Sequence, residues 1–80
     1  MYLLTKIDPE RNMKRYYRVM VQATVLGEWC LVRAYGRIGR SERVMPPVVC
    51  ADEDAAVTAA ERLVARKKRR GYKDQNKLSD

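Results

Sequence analysis

Tyr17-Arg18-Val19-Met20-Val21-Gln22 and, a short gap later, Trp29-Cys30-Leu31-Val32-Arg33-Ala34-Tyr35 are the stretches that decide the fold. In the first, Tyr17, Val19 and Val21 share one parity while Arg18 and Gln22 share the other. Successive side chains of an extended chain point to opposite faces, so the pattern describes a half-buried strand with one apolar side. Tyr16 and Met20 make its polar side less clean. The second stretch reads as another strong strand, and Leu26-Gly27 between them is a hairpin connection, although Gly27 alone does not fix the turn type.

Outward toward the N-terminus, Tyr2, Leu3, Leu4 and Ile7 predict a short strand that stops at Asp8-Pro9, followed by a polar loop from Glu10 to Lys14. Toward the C-terminus, Gly36 and Gly39 bracket Arg37-Ile38. That spacing predicts a bend or bulge, where the backbone takes a positive φ or comes close to something else. Arg43 to Met45 and Val48 to Cys50 read as short strands separated by Pro46-Pro47, and Pro47 confines the second to an edge or a strand start. A helix is predicted from about Glu53 to Arg70. Asp52 is its N-cap, Glu53 and Asp54 suit the positive end of its dipole, and Gly71 is the first residue beyond it. Ala56, Ala59, Ala60, Leu63 and Val64 form one apolar stripe at helical spacing, and a base near Lys67 must lie over the same stripe and reach outward by its alkyl stem. The expected fold is α+β: a small antiparallel sheet of four to five strands with one C-terminal helix packed on it. Residues 1–73 form a single domain, because a chain of 80 residues fills one core only, and the polar tail 74–80 is expected to fray.

Seventeen Lys and Arg against ten Asp and Glu give a formal charge of +7, which concentrates polyanions around the molecule. Nucleic acid, an acidic protein surface or membrane lipid are the partners this suggests, beside a merely solvated basic surface. No apolar run reaches the roughly 20 residues of a membrane span. Cys30 and Cys50 sit singly in apolar surroundings as small hydrophobes, so a reducing, cytoplasmic setting is expected. With no histidine and no paired cysteines, neither a catalytic group nor a metal site has its usual residues, and no cofactor or small-molecule substrate is expected.

The stretch that stands out chemically is Arg33-Ala34-Tyr35-Gly36-Arg37-Ile38-Gly39-Arg40. In an extended chain Arg33, Tyr35 and Arg37 share a face, setting an aromatic ring between guanidinium groups. Guanidinium pairs with phosphate oxygens and a ring stacks on a base or sugar, although a surface strand with Arg stacked on Tyr and no ligand fits the same pattern. The segment Arg62 to Lys73 carries seven positive charges and no acid. Lys67, Lys68, Arg69 and Arg70 within it either supply phosphate contacts or simply offset the helix dipole and aid solubility. Asn12, Lys14, Arg15, Tyr16 and Tyr17 place polar groups beside aromatics at the entry to the long strand. There Tyr17 reads as core, and Asn12 also fits as a turn cap.

Asn12 through Tyr17, the strand from Trp29 to Arg33, Tyr35-Gly36-Arg37-Ile38-Gly39, the alanine-rich helix and Arg69-Arg70-Gly71-Tyr72 together resemble the WGR domain, from about Leu3 to Lys73. The likeness is to bacterial proteins that consist of this domain alone, and to the WGR domain of DNA-dependent poly(ADP-ribose) polymerases, which binds DNA at strand breaks. It implies an antiparallel sheet with one helix, and nucleic-acid binding through the tripeptide that names the family. Tyr35 stands at the family's Trp and Arg37 at its Arg, which implies the ring against a terminal sugar or base and the guanidinium near phosphate. Asn12 matches a position that faces DNA in some members. Two departures bear on specificity: Tyr35 offers less stacking area than Trp, and Arg40-Ser41-Glu42-Arg43 lacks the Gly-Gln pair common in the polymerase domains.

Overall fold

Alternation in the two decisive stretches becomes a long antiparallel hairpin in the computed structural model, which describes residues 1–75. Strand β2 (Met13–Ala23) pairs with β3 (Trp29–Arg37) so that Tyr17 faces Tyr35, Val19 faces Arg33 and Arg15 faces Arg37. The connection closes by Gly27 N–H donating to the Thr24 carbonyl (3.0 Å), with the Thr24 hydroxyl accepting from the amides of Leu26 and Glu28 (3.2 Å each). Gly27 takes φ 85°, the left-handed value that glycine adopts without a side-chain clash.

Strand β1 (Tyr2–Asp8) lies antiparallel on the other side of β2. It ends in a 3₁₀ turn, Pro9–Arg11, and Asn12 reverses the chain with φ 52°. The outer edge of β3 is shared by two short strands: β4 (Glu42–Val44) covers Ala34 to Gly36, and β5 (Val48–Cys50) covers Trp29 to Leu31. The Pro46-Pro47 pair falls between them, and β5 sits on an edge as its proline requires. The sheet has six strands rather than four or five. The sixth, β6 (Lys73–Asp74), pairs with Leu4 and Thr5 of β1, and Gln75 adds an N–H bond to the Leu3 carbonyl (2.7 Å). The start of the segment expected to fray is therefore tied down by backbone hydrogen bonds, and residues 76–80 lie outside the described residues.

Helix α1 (Glu53–Arg69) begins where the Asp52 carboxylate accepts from the Ala55 amide at 2.8 Å. It ends on Gly71, φ 100°, with Gly71 N–H donating to the Lys68 carbonyl (3.0 Å) and Tyr72 N–H to the Lys67 carbonyl (3.1 Å). Those two bonds make a Schellman termination, which satisfies carbonyls that a helix end leaves bare and swings the chain back over the sheet. Ala56, Ala60, Leu63 and Val64 are the buried residues of the helix. Ala60, Leu63 and Val64 pack on Leu4, Tyr17, Val19 and Leu31, one apolar cluster drawn from the three central strands. Leu4 and Val19 are fully buried, and each such side chain contributes about 1.5–3 kcal/mol relative to exposure. The helix covers one face of the sheet and leaves the aromatic end of β2 and β3 open beside its C-terminus.

Candidate nucleic-acid interface

The register of the hairpin puts Arg15 directly opposite Arg37, two pairs along from Tyr17 and Tyr35 and so on the same face. Like charges directly opposite on a sheet repel, and the described residues form no ion pair of either side chain with a carboxylate. Instead Arg37 is oriented by a neutral partner: its Nη1 donates to the Asn12 carbonyl (3.0 Å) and its Nη2 to Asn12 Oδ1 (3.3 Å). The left-handed φ of Asn12 turns its backbone and side-chain oxygens toward one guanidinium. Arg37 is thereby held in place with its charge uncompensated.

Beside this pair the Tyr35 ring lies nearly parallel to Tyr17, centroids 6.1 Å apart and planes 15° from parallel. Tyr17 is buried and Tyr35 is 37% exposed, so the inner ring is a fixed support and the outer one presents a free face. Tyr72, delivered by the Gly71 turn, meets Tyr17 edge-on at 6.4 Å. Arg15, Tyr16, Tyr35, Gly36, Arg37 and Tyr72 together line an open cleft of ≈ 370 Å³. Aromatic faces beside unpaired guanidinium groups suit a ligand with flat rings and phosphates.

The two glycines of the bracketed motif do different work, and the predicted bend starts later than its first glycine. Gly36 lies within β3 in regular pairing, and a Cβ there would sit 3.0 Å from the Ser41 carbonyl oxygen and 3.2 Å from the Tyr16 ring and hydroxyl. Close approach explains this glycine. Gly39 has φ 85° and open space around it, in the tight turn closed by Arg40 N–H to the Arg37 carbonyl (2.9 Å). Room at Gly36 lets Tyr16 reach across β3 to Glu42 on β4, and Glu42 also takes both ends of the Arg18 guanidinium at 2.8 and 2.5 Å. Arg18 beside it holds the Glu42 carboxyl below the usual carboxylate range. Burial and then Glu42 raise the Tyr16 hydroxyl. This neutral network fastens β4 behind the cleft.

Lys67 occupies the place predicted for a base over the core stripe. Its Nζ stands 4.3 Å from the centroid of Tyr17 and 5.6 Å from that of Tyr72. Partial burial lowers its pKa, with the charges of Arg70, Arg66 and Lys6 acting in the same direction. Lys68 pairs with Asp74 at 3.8 Å, while Arg69 and Arg70 are exposed at the helix end. Arg40 sits out on the turn and does not line the cleft. Tyr35, Arg37 and Asn12 are thus brought together, with Lys67 joined to them through Tyr72. Arg33 lies two residues along β3 from Tyr35, with its Nε buried and without an acceptor among the described residues. Arg15 and Tyr16, from the polar and aromatic set at the entry to the long strand, and Tyr72 complete the cleft. The place of Arg15 opposite Arg37 follows from the hairpin register, and that of Tyr72 from the chain reversal that Gly71 imposes.

Compared with known proteins, residues 1–79 match the family model described as the WGR domain. The chain belongs to the WGR domain family. In poly(ADP-ribose) polymerase-like proteins the WGR domain is a nucleic-acid-binding domain, and it is a binding rather than a catalytic unit. This WGR chain is 36% identical over 73 residues to an uncharacterized protein, y4dW, of Sinorhizobium fredii (strain NBRC 101917 / NGR234); the match covers 91% of the chain and 35% of that protein. The chain thus spans about a third of that relative's length. No solved structure matches it. Tyr35, Gly36 and Arg37, which the sequence resemblance sets at the family's naming tripeptide, line the cleft. No helix among the described residues is long and apolar enough to cross a membrane.

Proposed function

We propose that this WGR domain binds nucleic acid, DNA in preference to RNA, through the cleft at the end of the β2–β3 hairpin. The observation that carries the reading is the opposed Arg15 and Arg37 pair, without a carboxylate partner among the described residues, beside the half-free face of Tyr35. Two guanidiniums facing each other cost free energy in the empty domain, and a phosphate between them turns that repulsion into paired charge-assisted bonds. Tyr35, backed by Tyr17, stacks on a sugar or base, and Asn12 holds Arg37 in the receiving geometry. Lys67, Arg69, Arg70 and Arg40 add electrostatic attraction from the surrounding surface, which raises affinity without reading sequence. Lys68 contributes less because Asp74 offsets it.

Stacking needs an accessible ring face on the ligand, so strand ends and unpaired stretches are the favoured form. Fluorescence anisotropy of a 5′-phosphorylated duplex, a covalently closed circular duplex without ends and a single strand tests this with the wild type and Tyr35→Ala. Loss of the ring is expected to weaken binding to ends and single strands by about 1–3 kcal/mol, with a smaller effect on the closed duplex. Equal, salt-insensitive indifference of both proteins to all three ligands contradicts the reading and leaves an acidic protein as the partner of the basic surface. Two free cysteines fit a reducing, cytoplasmic setting for this activity.

A further inference from the structure

Arg33 is half-buried and yet its Nε has no hydrogen-bond partner among the described residues. An unpaired buried donor on a charged group is costly, and its persistence points to an acceptor that arrives from outside. The Tyr17 hydroxyl tells the same story, since its proton is directed at the Met45 thioether, 3.8 Å away, a weak acceptor that a phosphate oxygen readily replaces. From the helix, Lys67 Nζ lies 4.3 Å over the Tyr17 ring, and the exposed Arg66 precedes it in the same helical turn. Arg33 from the sheet and Arg66 from the helix both act electrostatically on the Tyr17 hydroxyl.

We propose that Arg33, Arg66 and the Tyr17 hydroxyl form a second phosphate subsite between β3 and α1. Resting on the nucleic-acid reading above, it gives the ligand a direction: one phosphate at Arg15 and Arg37, a sugar or base on Tyr35, and a further phosphate at Arg33 and Arg66. Arg33 and Arg37 are four residues apart on one strand, about 13 Å at strand rise. A mononucleotide has one phosphate end and cannot occupy both subsites, whereas an oligonucleotide strand can. Arg66 is exposed on the helix surface, so Arg66→Gln leaves the core untouched.

The test has two arms, both on the full chain. In the first, the Arg33 Nε–H NMR signal is followed while inorganic phosphate is added to wild type and Arg66→Gln. A saturable shift in wild type that weakens in the variant supports the subsite, and a signal that phosphate leaves in place overturns it. In the second, anisotropy of a short single strand is measured across a salt series for Arg33→Gln, Arg66→Gln and the charge-matched Arg69→Gln. The first two are expected to lose about tenfold in affinity and close to one unit of salt slope, with Arg69→Gln losing clearly less. Arg66→Gln behaving like Arg69→Gln overturns the subsite even where Tyr35 and Arg37 prove essential. A phosphate response at Arg33 without oligonucleotide binding by wild type upholds the subsite for free phosphate and overturns the nucleic-acid reading instead.

Discussion

Arg18 and Arg37 stand on neighbouring strands of one sheet, and each is held by two hydrogen bonds, but the holders differ. Glu42 neutralises Arg18 while it orients it, whereas Asn12 orients Arg37 with a carbonyl and an amide oxygen and leaves its charge intact. The first arrangement fastens β4 to β2 on the face away from the helix. The second builds a guanidinium that is rigid and still cationic, opposite Arg15, which is the condition for receiving an anion without first ordering the side chain. Position on the sheet alone does not separate the two arginines; the charge of the partner does.

The comparison breaks most severely at Gly36, which separates the two networks. Gly36→Ala drives a methyl group toward the Ser41 carbonyl oxygen and Tyr16, displacing the Tyr16–Glu42–Arg18 network and the floor of the cleft together. A loss of about 1–3 kcal/mol in stability by urea unfolding is expected, with weaker nucleic-acid binding alongside. Next in size, Gly71→Ala forces a side chain into φ 100° and presses on Lys6, which disturbs the turn that delivers Tyr72. About 1 kcal/mol of destabilisation is expected, measured by thermal melting. A smaller change sharpens the contrast from the other side. Glu42→Gln frees Arg18 and is expected to raise salt-sensitive, sequence-independent affinity a few-fold, while the dependence on Tyr35 stays as it was.

The smallest effect is one of pH. Because Arg18 holds the folded Glu42 carboxyl below its unfolded value, near 4.3, its contribution to stability is present above that value and is lost as the pH falls through the folded one. Urea midpoints of wild type and Glu42→Gln are expected to differ slightly at neutral pH and to converge in acid below about pH 4. A gap that stays constant on further acidification below that pH speaks against the ion pair.

Much of the fold is legible in the residues because local chemistry and tertiary need agree. Asp52 and Gly71 sit at the two helix ends with the bonds their side chain and backbone permit, and Tyr17 and Val19 fall on the buried parity of β2. Lys73–Asp74 carries no strand signal, since two polar residues have no period; only the open edge of β1 makes them a strand. At Gly36 the spacing left open whether φ or space was the constraint, and the neighbours that decide it, Ser41 and Tyr16, are placed by tertiary structure. In the candidate site, Tyr35 and Arg37 are visible from alternation. Arg15 appears only in the polar set beside Tyr16 and Tyr17, because its place opposite Arg37 depends on a register set by a turn whose type Gly27 alone did not fix.

The central claim is that a cation held by a neutral partner binds the ligand and a cation held by a carboxylate does not. Arg37→Gln and Arg18→Gln each remove one positive charge from the same sheet, and comparing their anisotropy with one 5′-phosphorylated oligonucleotide across a salt series tests it directly. Arg37→Gln is expected to lose about tenfold in affinity and close to one unit of salt slope, with Arg18→Gln remaining near wild type. Equal losses for the two variants would contradict the account and reduce the interface to net charge.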